Sequence, residues 1–249
     1  MQKLRLRYTK RGRLRFTSHR DIARVFERAL RRAQVPMAYS AGFSPHPKVS
    51  WVGAAATGVA SEAEYVEISL AERRDPEALR IALDAALPDG IDLVEAVEAP
   101  VGTSLPERVQ ASAWRVRLPE VDHAVLAGAV AAFLSAPSVE VERRTKDGQR
   151  RFDARAAVVS MTAEDEVGDD GCAILRMVVQ HVTPAVRPDD VLSGLRSVSD
   201  LVTPVPPAAT RLAQGLLTAD GEVADPLAPD RQAGETRQVD EVGGEQPPG

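Results

Sequence analysis

The chain has 249 residues, of which 44% are hydrophobic, and its formal net charge is −5. This length suits two domains of ordinary size. The single cysteine excludes an internal disulfide, and the longest apolar run, residues 124–134, is too short to cross a bilayer. The first residues lack the continuous apolar segment of a signal peptide. We therefore expect a cytoplasmic protein without a membrane segment.

Positive charge is concentrated at the start of the chain. Residues 1–50 contain 13 Lys/Arg and only two acids, Asp21 and Glu27, so the remainder is strongly acidic. A basic region on an acidic protein predicts a local surface for an anionic partner, because the rest of the molecule repels polyanions.

Residues 1–100 predict one βαββαβ domain. Leu4 and Leu6 alternate with arginines as in a strand with one buried face, and residues 13–16 repeat the pattern. Ser18 resembles a helix cap, and the helix that follows ends before Pro36. The later elements are strands at 49–52, 64–70 and 91–99 and a helix at 75–87.

Residues 110–218 repeat this order of elements, with one additional strand. Strands are predicted at 114–118, 139–144, 151–161, 172–180 and 210–217, and helices at 122–135 and 187–198. The predicted fold class is α+β, with two ferredoxin-like domains in tandem, each an antiparallel sheet with its helices packed on one face.

Residues 219–249 have few large apolar side chains and eight acids against two arginines. This composition predicts a disordered acidic tail, because it buries too little apolar surface to offset the entropy of ordering. Two roles stay open for the tail: an inert solubilising segment, or a segment that masks the basic region.

No metal or cofactor is predicted. The chain lacks CxxC, HExxH, GxGxxG and GxxxxGK[ST] motifs, and one cysteine cannot supply the ligands of an iron–sulphur cluster. The basic residues therefore carry the functional argument. They predict phosphate contact, with a solvated surface as the alternative. RNA is favoured over duplex DNA because no helix-turn-helix is visible.

The candidate nucleic-acid-binding residues lie on the first strands, the first helix, the following loop and a predicted Asp147-Gly148 hairpin. Acids within the hairpin, Glu140, Glu142 and Asp153, would neutralise part of its charge. The complete set is Arg5, Arg7, Arg13, Arg15, Arg20, Arg24, Arg28, Arg31, Arg32, His46, Lys48, Arg144, Lys146 and Arg150.

The loop "YSAGFSPHPKVSW", residues 39–51, is stiff. Gly42 permits unusual backbone angles, Pro45 and Pro47 hold the chain extended, and Phe43 is an aromatic candidate for stacking. His19 and His46 are the only candidate catalytic residues, as the acid and base of a metal-independent ribonuclease.

These residues also carry a family resemblance. The segment "LRLRYTKRGRLRFTSHRDIARVFERALRRAQVPMAYSAGFSPHPKVSW" and the following "GVASEAEYVEISL" resemble the bacterial radical-SAM-linked domain family of unknown function. The resemblance implies partnership with a separate radical S-adenosylmethionine enzyme and an RNA-related role. The predicted function is an RNA-binding or substrate-presenting accessory protein. The alternatives are the ribonuclease and a protein-interaction adaptor that binds no nucleic acid.

Overall fold

The computed structural model of the protein describes residues 1–145, 148–164 and 172–243, and the fold is mixed α+β. Its strands and helices follow in chain order. They are β1 (Gln2–Lys10), α1 (His19–Arg32), β2 (Val49–Val52), β3 (Ala60–Leu70), α2 (Pro76–Asp84), β4 (Leu93–Glu98), β5 (Ala111–Leu118), α3 (His123–Ser135), β6 (Glu140–Thr145), β7 (Gly148–Asp153), β8 (Val158–Ala163), β9 (Ala173–Gln180), α4 (Pro188–Val198), β10 (Ala208–Leu217), β11 (Val223–Ala224) and α5 (Ala228–Gly243).

The chain divides into two compact units. The first unit combines Met1–Arg108 with Asp225–Gly249, and the second is Val109–Ala224. In the first unit the strands pair in the order β4-β1-β3-β2, and every pairing is antiparallel. The order of elements, βαββαβ, is the one that the sequence predicts.

The second unit repeats that pairing. Its strands run β10-β5-β9-β8, again antiparallel, and β11 pairs with β10. The sequence predicts one strand more than a repeat of the first unit requires. The structure accounts for it, because β6 and β7 pair with each other in a separate two-stranded sheet. The predicted strand at 151–161 contains the end of β7, a 3₁₀ turn at Arg155–Ala157 and the start of β8. Asp153 fixes this turn, because its carboxylate accepts from the backbone N–H groups of Val139 and Arg155.

The core of the first unit lies between its sheet and its helices α1 and α2. Leu4 and Leu6 of β1 are fully buried against α1, whose own buried residues are Ile22, Phe26, Ala29 and Leu30. Each large apolar side chain buried here contributes about 1.5–3 kcal/mol relative to exposure. This burial fixes which side of α1 faces solvent.

Residues 13–16 are not a strand. They belong to a 3₁₀ helix, Gly12–Phe16, in which no residue is buried and Phe16 is exposed. The alternation of leucine and arginine predicted a strand, but Gly12 takes a φ of 55°, which turns the chain out of the sheet after β1.

The acidic tail also differs from the prediction of disorder. Residues 223–224 form β11 and α5 begins at Ala228, where Leu227 and Asp230 are fully buried. The composition is poor in apolar residues, yet a buried leucine, a buried carboxylate and the ion pairs of Arg231 hold this segment. Among the described residues, no helix combines the length and apolar character needed to cross a membrane.

Candidate nucleic-acid interface

Helix α1 presents an arginine face to solvent. Ser18 caps the helix, because its hydroxyl accepts from the backbone N–H of Asp21 and donates to the Asp21 carboxylate. Apolar burial on one side leaves the opposite side exposed. The arginine face consists of four exposed residues on that side, Arg20, Arg24, Arg28 and Arg31.

This arginine face is sparsely neutralised. Arg24 lies 3.3 Å from Asp21, and this is the one ion pair formed by the face within the described part of the chain. Arg32, one position further, hydrogen-bonds the carbonyl of Ala86. Arg31 and Arg32 lie in the last turn of α1, where positive charge is favourable because the C-terminal end of the helix dipole is negative. This is a structural reason for their presence. That reason does not apply to Arg20 or Arg24, which lie in the first two turns.

Arg5 and Arg7 belong to the predicted basic surface, but the structure does not place them on it. The Arg5 side chain is fully buried and pairs with Glu67 and Asp230. Arg7 is half-buried, and its Nε donates to the carbonyl of Glu62. Both were predicted to contact nucleic acid, but the strand face that carries them is covered rather than solvated in this structure.

The 3₁₀ helix before α1 carries two further candidates. Arg13 is exposed, whereas Arg15 is half-buried with its guanidinium 4.7 Å from the ring centroid of Phe16. The carbonyl of Arg15 accepts from the N–H of Gly58, which holds this turn against the loop before β3. Arg13 and Phe16 are therefore presented to solvent just ahead of the arginine face.

The loop before β2 is a short hairpin with a hydrogen-bonded base. Lys48 N–H donates to the carbonyl of Ala38, and Ser40 N–H donates to the carbonyl of His46. The Ser40 hydroxyl accepts from His46 N–H and lies 2.9 Å from His46 Nδ1.

The tip of this loop exposes an aromatic side chain. Phe43 is fully exposed, and Tyr39 at the base is more than half exposed. Gly42 has a φ of 128°, a region that L side chains rarely adopt, and Pro45 and Pro47 follow on the other side of the tip. The tip of the loop therefore presents an apolar ring to water.

The structure gives His19 and His46 different neighbours. His19 is exposed and its ring packs edge-to-face on Trp51, with centroids 5.2 Å apart. His46 contacts Ser40 within the loop. Within residues 1–145, no contact joins the two histidines. The structure therefore does not place them in a common acid–base site.

A hairpin of β6 and β7 forms, but Gly148 begins β7 and pairs with Thr145, whereas it was predicted to lie in the turn. Some of the charge on the described residues of the hairpin is held in ion pairs. Arg143 is held by Asp190 at 2.8 Å, and Arg151 pairs with Glu140 at 3.2 Å. Arg144 and Arg150 are exposed. Lys146 and Asp147 of the predicted set lie outside the described residues.

Two polar clusters were missed by the sequence analysis. In the first unit, Arg108 joins Arg5 at the Asp230 carboxylate. In the second, the Ser112 hydroxyl lies 2.8 Å from His181 Nε2, and His181 Nδ1 lies 3.1 Å from the carbonyl of Val109. Desolvation lowers the pKa of His181 despite that carbonyl.

The sequence contains a signal for the first cluster. Residues 225–230 read DPLAPD, which places a proline and an acid in the first turn of a helix. No comparable signal joins Ser112 to His181, because their strands meet only through sheet pairing. Within the described ranges, no cluster of three or more His, Cys, Asp or Glu side chains is placed to hold a metal ion.

Residues 3–188 match a bacterial family described as "Uncharacterized protein conserved in bacteria (DUF2344)". The chain belongs to this family. The DUF2344 match contains the arginine face, the loop and the β6–β7 hairpin, and it ends at the first residue of α4. That description names neither RNA nor a radical S-adenosylmethionine enzyme. No curated protein gives a significant match to the chain.

Proposed function

We propose that the protein binds RNA through the arginine face of α1 and the tip of the following loop, and acts as an accessory that presents RNA to a separate enzyme. The observation that supports this most strongly is the row of four exposed arginines with a single carboxylate partner among the described residues. Guanidinium groups bind phosphate oxygens in pairs, so such a row suits a phosphate backbone.

Three arginines elsewhere in the same unit offer a contrast. The exposed Arg73 and Arg74 pair with Glu98 and Glu72, and the half-buried Arg80 pairs with Glu77. The chain has more acids than bases, 36 against 31, so carboxylates are available throughout. The row on α1 has one such partner, Asp21, among the described residues, and this sparse pairing favours an external anion over simple solubility.

Phe43 adds a stacking surface. A nucleobase that stacks on an aromatic side chain gains about 1–3 kcal/mol, whatever its identity. The hydrogen bonds between Ser40 and His46 hold the loop in place before binding, so little entropy is lost when a ligand arrives. A single-stranded ligand fits this pairing of a phosphate-binding helix with one exposed ring.

The sheet of the first unit offers no alternative surface for RNA as long as the C-terminal residues cover it. Arg5, on the sheet face opposite α1, is fully buried beneath Asp230. As part of this proposal we infer that both units are ferredoxin-like. The usual RNA platform of that fold is the open sheet face, so binding on the helix side would be a departure from it.

The partnership with a radical S-adenosylmethionine enzyme is supported only by the family resemblance of residues 3–70. The cytoplasmic location likewise stays a prediction. Of the two alternatives, the ribonuclease lacks a common site for His19 and His46, and the adaptor would use the same exposed Phe43. Co-purification of an enzyme that survives nuclease treatment would favour the adaptor.

The test is binding of a labelled single-stranded RNA across a range of salt concentrations. For the wild-type chain we expect log K to fall linearly with log salt, because bound counterions are released. The paired replacement Arg28→Ala, Arg31→Ala should reduce the slope by about 1.4, since each lost phosphate contact removes roughly 0.7. The matched control is Arg73→Ala, Arg74→Ala, which removes the same charge from paired arginines. Salt-independent binding, or equal losses in the two variants, would refute the proposal.

A further inference from the structure

Arg5 and Asp230 form a buried ion pair between β1 and α5. Arg5 Nη1 lies 2.9 and 2.8 Å from the two oxygens of Asp230, and neither side chain is exposed to solvent. Arg108 Nη1 donates to the same carboxylate at 2.9 Å and also to the carbonyl of Pro226. One carboxylate is therefore held by two guanidinium groups on the sheet face opposite α1.

The Arg5 side chain is oriented by other groups of the first unit. Its Nε donates to Glu67, and its Nη2 donates to both the carbonyl and the hydroxyl of Thr103. These three bonds leave Nη1 directed at Asp230. Among the ion pairs of the described residues, loss of Asp230 would leave Glu67 as the acid paired with Arg5, and Lys3 also pairs with Glu67, so the positive charge of the site would exceed the negative charge.

The segment that supplies Asp230 is anchored over a short stretch. Leu227 is fully buried, and Arg231 binds Glu95 and Asp225. Beyond these residues, from Gln232 to Thr236, the side chains are half-buried or exposed. Displacement of the stretch 225–231 would therefore open the site.

We propose that the guanidinium groups of Arg5 and Arg108 form an oxyanion-binding site, with Thr103 orienting Arg5, and that Asp230 is its tethered occupant, which competes with a phosphate group of an external ligand. A tethered group has an effective concentration of about millimolar or more, so a single phosphate ion displaces it poorly. A polyanion with further contacts on the same unit competes far better. The identity of that polyanion as RNA rests on the proposed function; the site itself does not.

The first experiment tests the site in the full chain. Asp230→Ala empties it, and Glu235→Ala removes the same charge from an exposed position of α5. Acetate or phosphate, compared with chloride at equal ionic strength, should raise the melting temperature of Asp230→Ala and leave the wild type and Glu235→Ala unchanged. An equal response in all three proteins would overturn the site. If Asp230→Ala does not fold, Asp230→Ser removes the charge, keeps one hydroxyl acceptor and leaves room for an anion, and the same comparison of melting temperatures decides.

The second experiment tests the competition. Asp230→Ala should bind single-stranded RNA about tenfold more tightly than the wild type, a change of about 1.4 kcal/mol, because a charge-assisted hydrogen bond to the phosphate becomes available. Glu235→Ala should not. In the wild-type chain, RNA should accelerate amide hydrogen exchange in residues 225–236. If Asp230→Ala binds RNA with the affinity of the wild type, and RNA leaves amide hydrogen exchange in residues 225–236 unchanged, the proposed competition is refuted. A wild-type chain that binds no RNA would refute the proposed function, whereas the melting comparison would still decide whether the site exists.

Discussion

Arg5 and Asp230 lie 225 positions apart in the sequence, yet they form a fully buried ion pair within the first unit. Removing one partner of a buried pair costs about 3–5 kcal/mol, because the other charge is left uncompensated. We expect Arg5→Met and Asp230→Leu each to lower the free energy of unfolding by about that amount. The double variant should be much less affected than the sum of the two.

Urea unfolding of the two single variants and the double variant would measure this coupling as a double-mutant cycle. The pair Lys3→Met, Glu72→Leu provides the control, because both residues are exposed and no contact joins them. If the losses in free energy of unfolding at Arg5 and Asp230 simply add, the two side chains are not energetically coupled as a buried ion pair should be.

Phe43 should matter for binding and not for folding. Its ring is fully exposed, so Phe43→Ala should change the free energy of unfolding by less than about 0.5 kcal/mol. The same change should weaken RNA binding by about 1–3 kcal/mol if a base stacks on the ring. Val101→Ala, at another fully exposed apolar residue of the first unit, should alter neither quantity. Equal RNA affinity of the Phe43 variant and the wild type would remove the loop from the interface.

Two glycines of the second unit should respond oppositely to alanine. A Cβ at Gly194 on α4 would lie 2.8 Å from Cε2 of Phe133 and 3.0 Å from Cγ1 of Val139, so Gly194→Ala should cost about 1–3 kcal/mol. A Cβ at Gly128 on α3 meets nothing within 4 Å. Gly128→Ala should therefore stabilise the unit by up to about 1 kcal/mol through helix propensity. Thermal unfolding of both variants checks the contrast, and a stable Gly194→Ala protein would show that α3 and α4 pack less tightly than described.

The helix cap at Ser18 should contribute about 1 kcal/mol, because its hydroxyl satisfies the N–H of Asp21 at the start of α1. Ser18→Ala is expected to lose that amount in urea unfolding, whereas Ser18→Asp should retain most of it. Ser44→Ala, in the exposed part of the loop, serves as the control and should be neutral. A loss at Ser44 as large as the loss at Ser18 would mean that capping is not the cause.

His181 should make stability depend on pH. Desolvation lowers the pKa of His181 below its usual value of 6.5, so the unfolded chain binds the proton more readily than the folded one. The stabilising contribution is present above pH 6.5 and is lost as the pH falls through the lower folded-state pKa. The wild type should therefore lose more stability than His181→Gln on acidification from neutral pH. Parallel pH profiles of the two proteins would contradict this.

The sequence predicts most elements because their patterns are local. The helical spacing of Ile22, Phe26 and Ala29 and the cap at Ser18 identify α1 to within a residue or two, and strand alternation identifies β1 and β3. Alternation alone fails at residues 13–16, because a 3₁₀ helix between two elements displays the same leucine and arginine pattern without burying it.

The candidate site is only partly predictable for the same reason. A helical wheel places the arginine face correctly, since burial of one side of α1 fixes the other. It cannot reveal that Arg5 is neutralised by a residue near the other end of the chain, because that contact depends on how the C-terminal segment returns to β1. Charge counts along a sequence therefore overestimate a basic surface when distant acids cover part of it.

The return of α5 to the first unit affects how the protein can be divided for experiments. A fragment cut at residue 188, where the family match ends, would lack β10, which pairs with β5, and would also lack the carboxylate that balances Arg5 and Arg108. Such a fragment would leave a strand edge and a cationic patch newly exposed to solvent. We expect it to aggregate or to bind polyanions indiscriminately, so that assays on the trimmed domain would report contacts which the intact chain does not make.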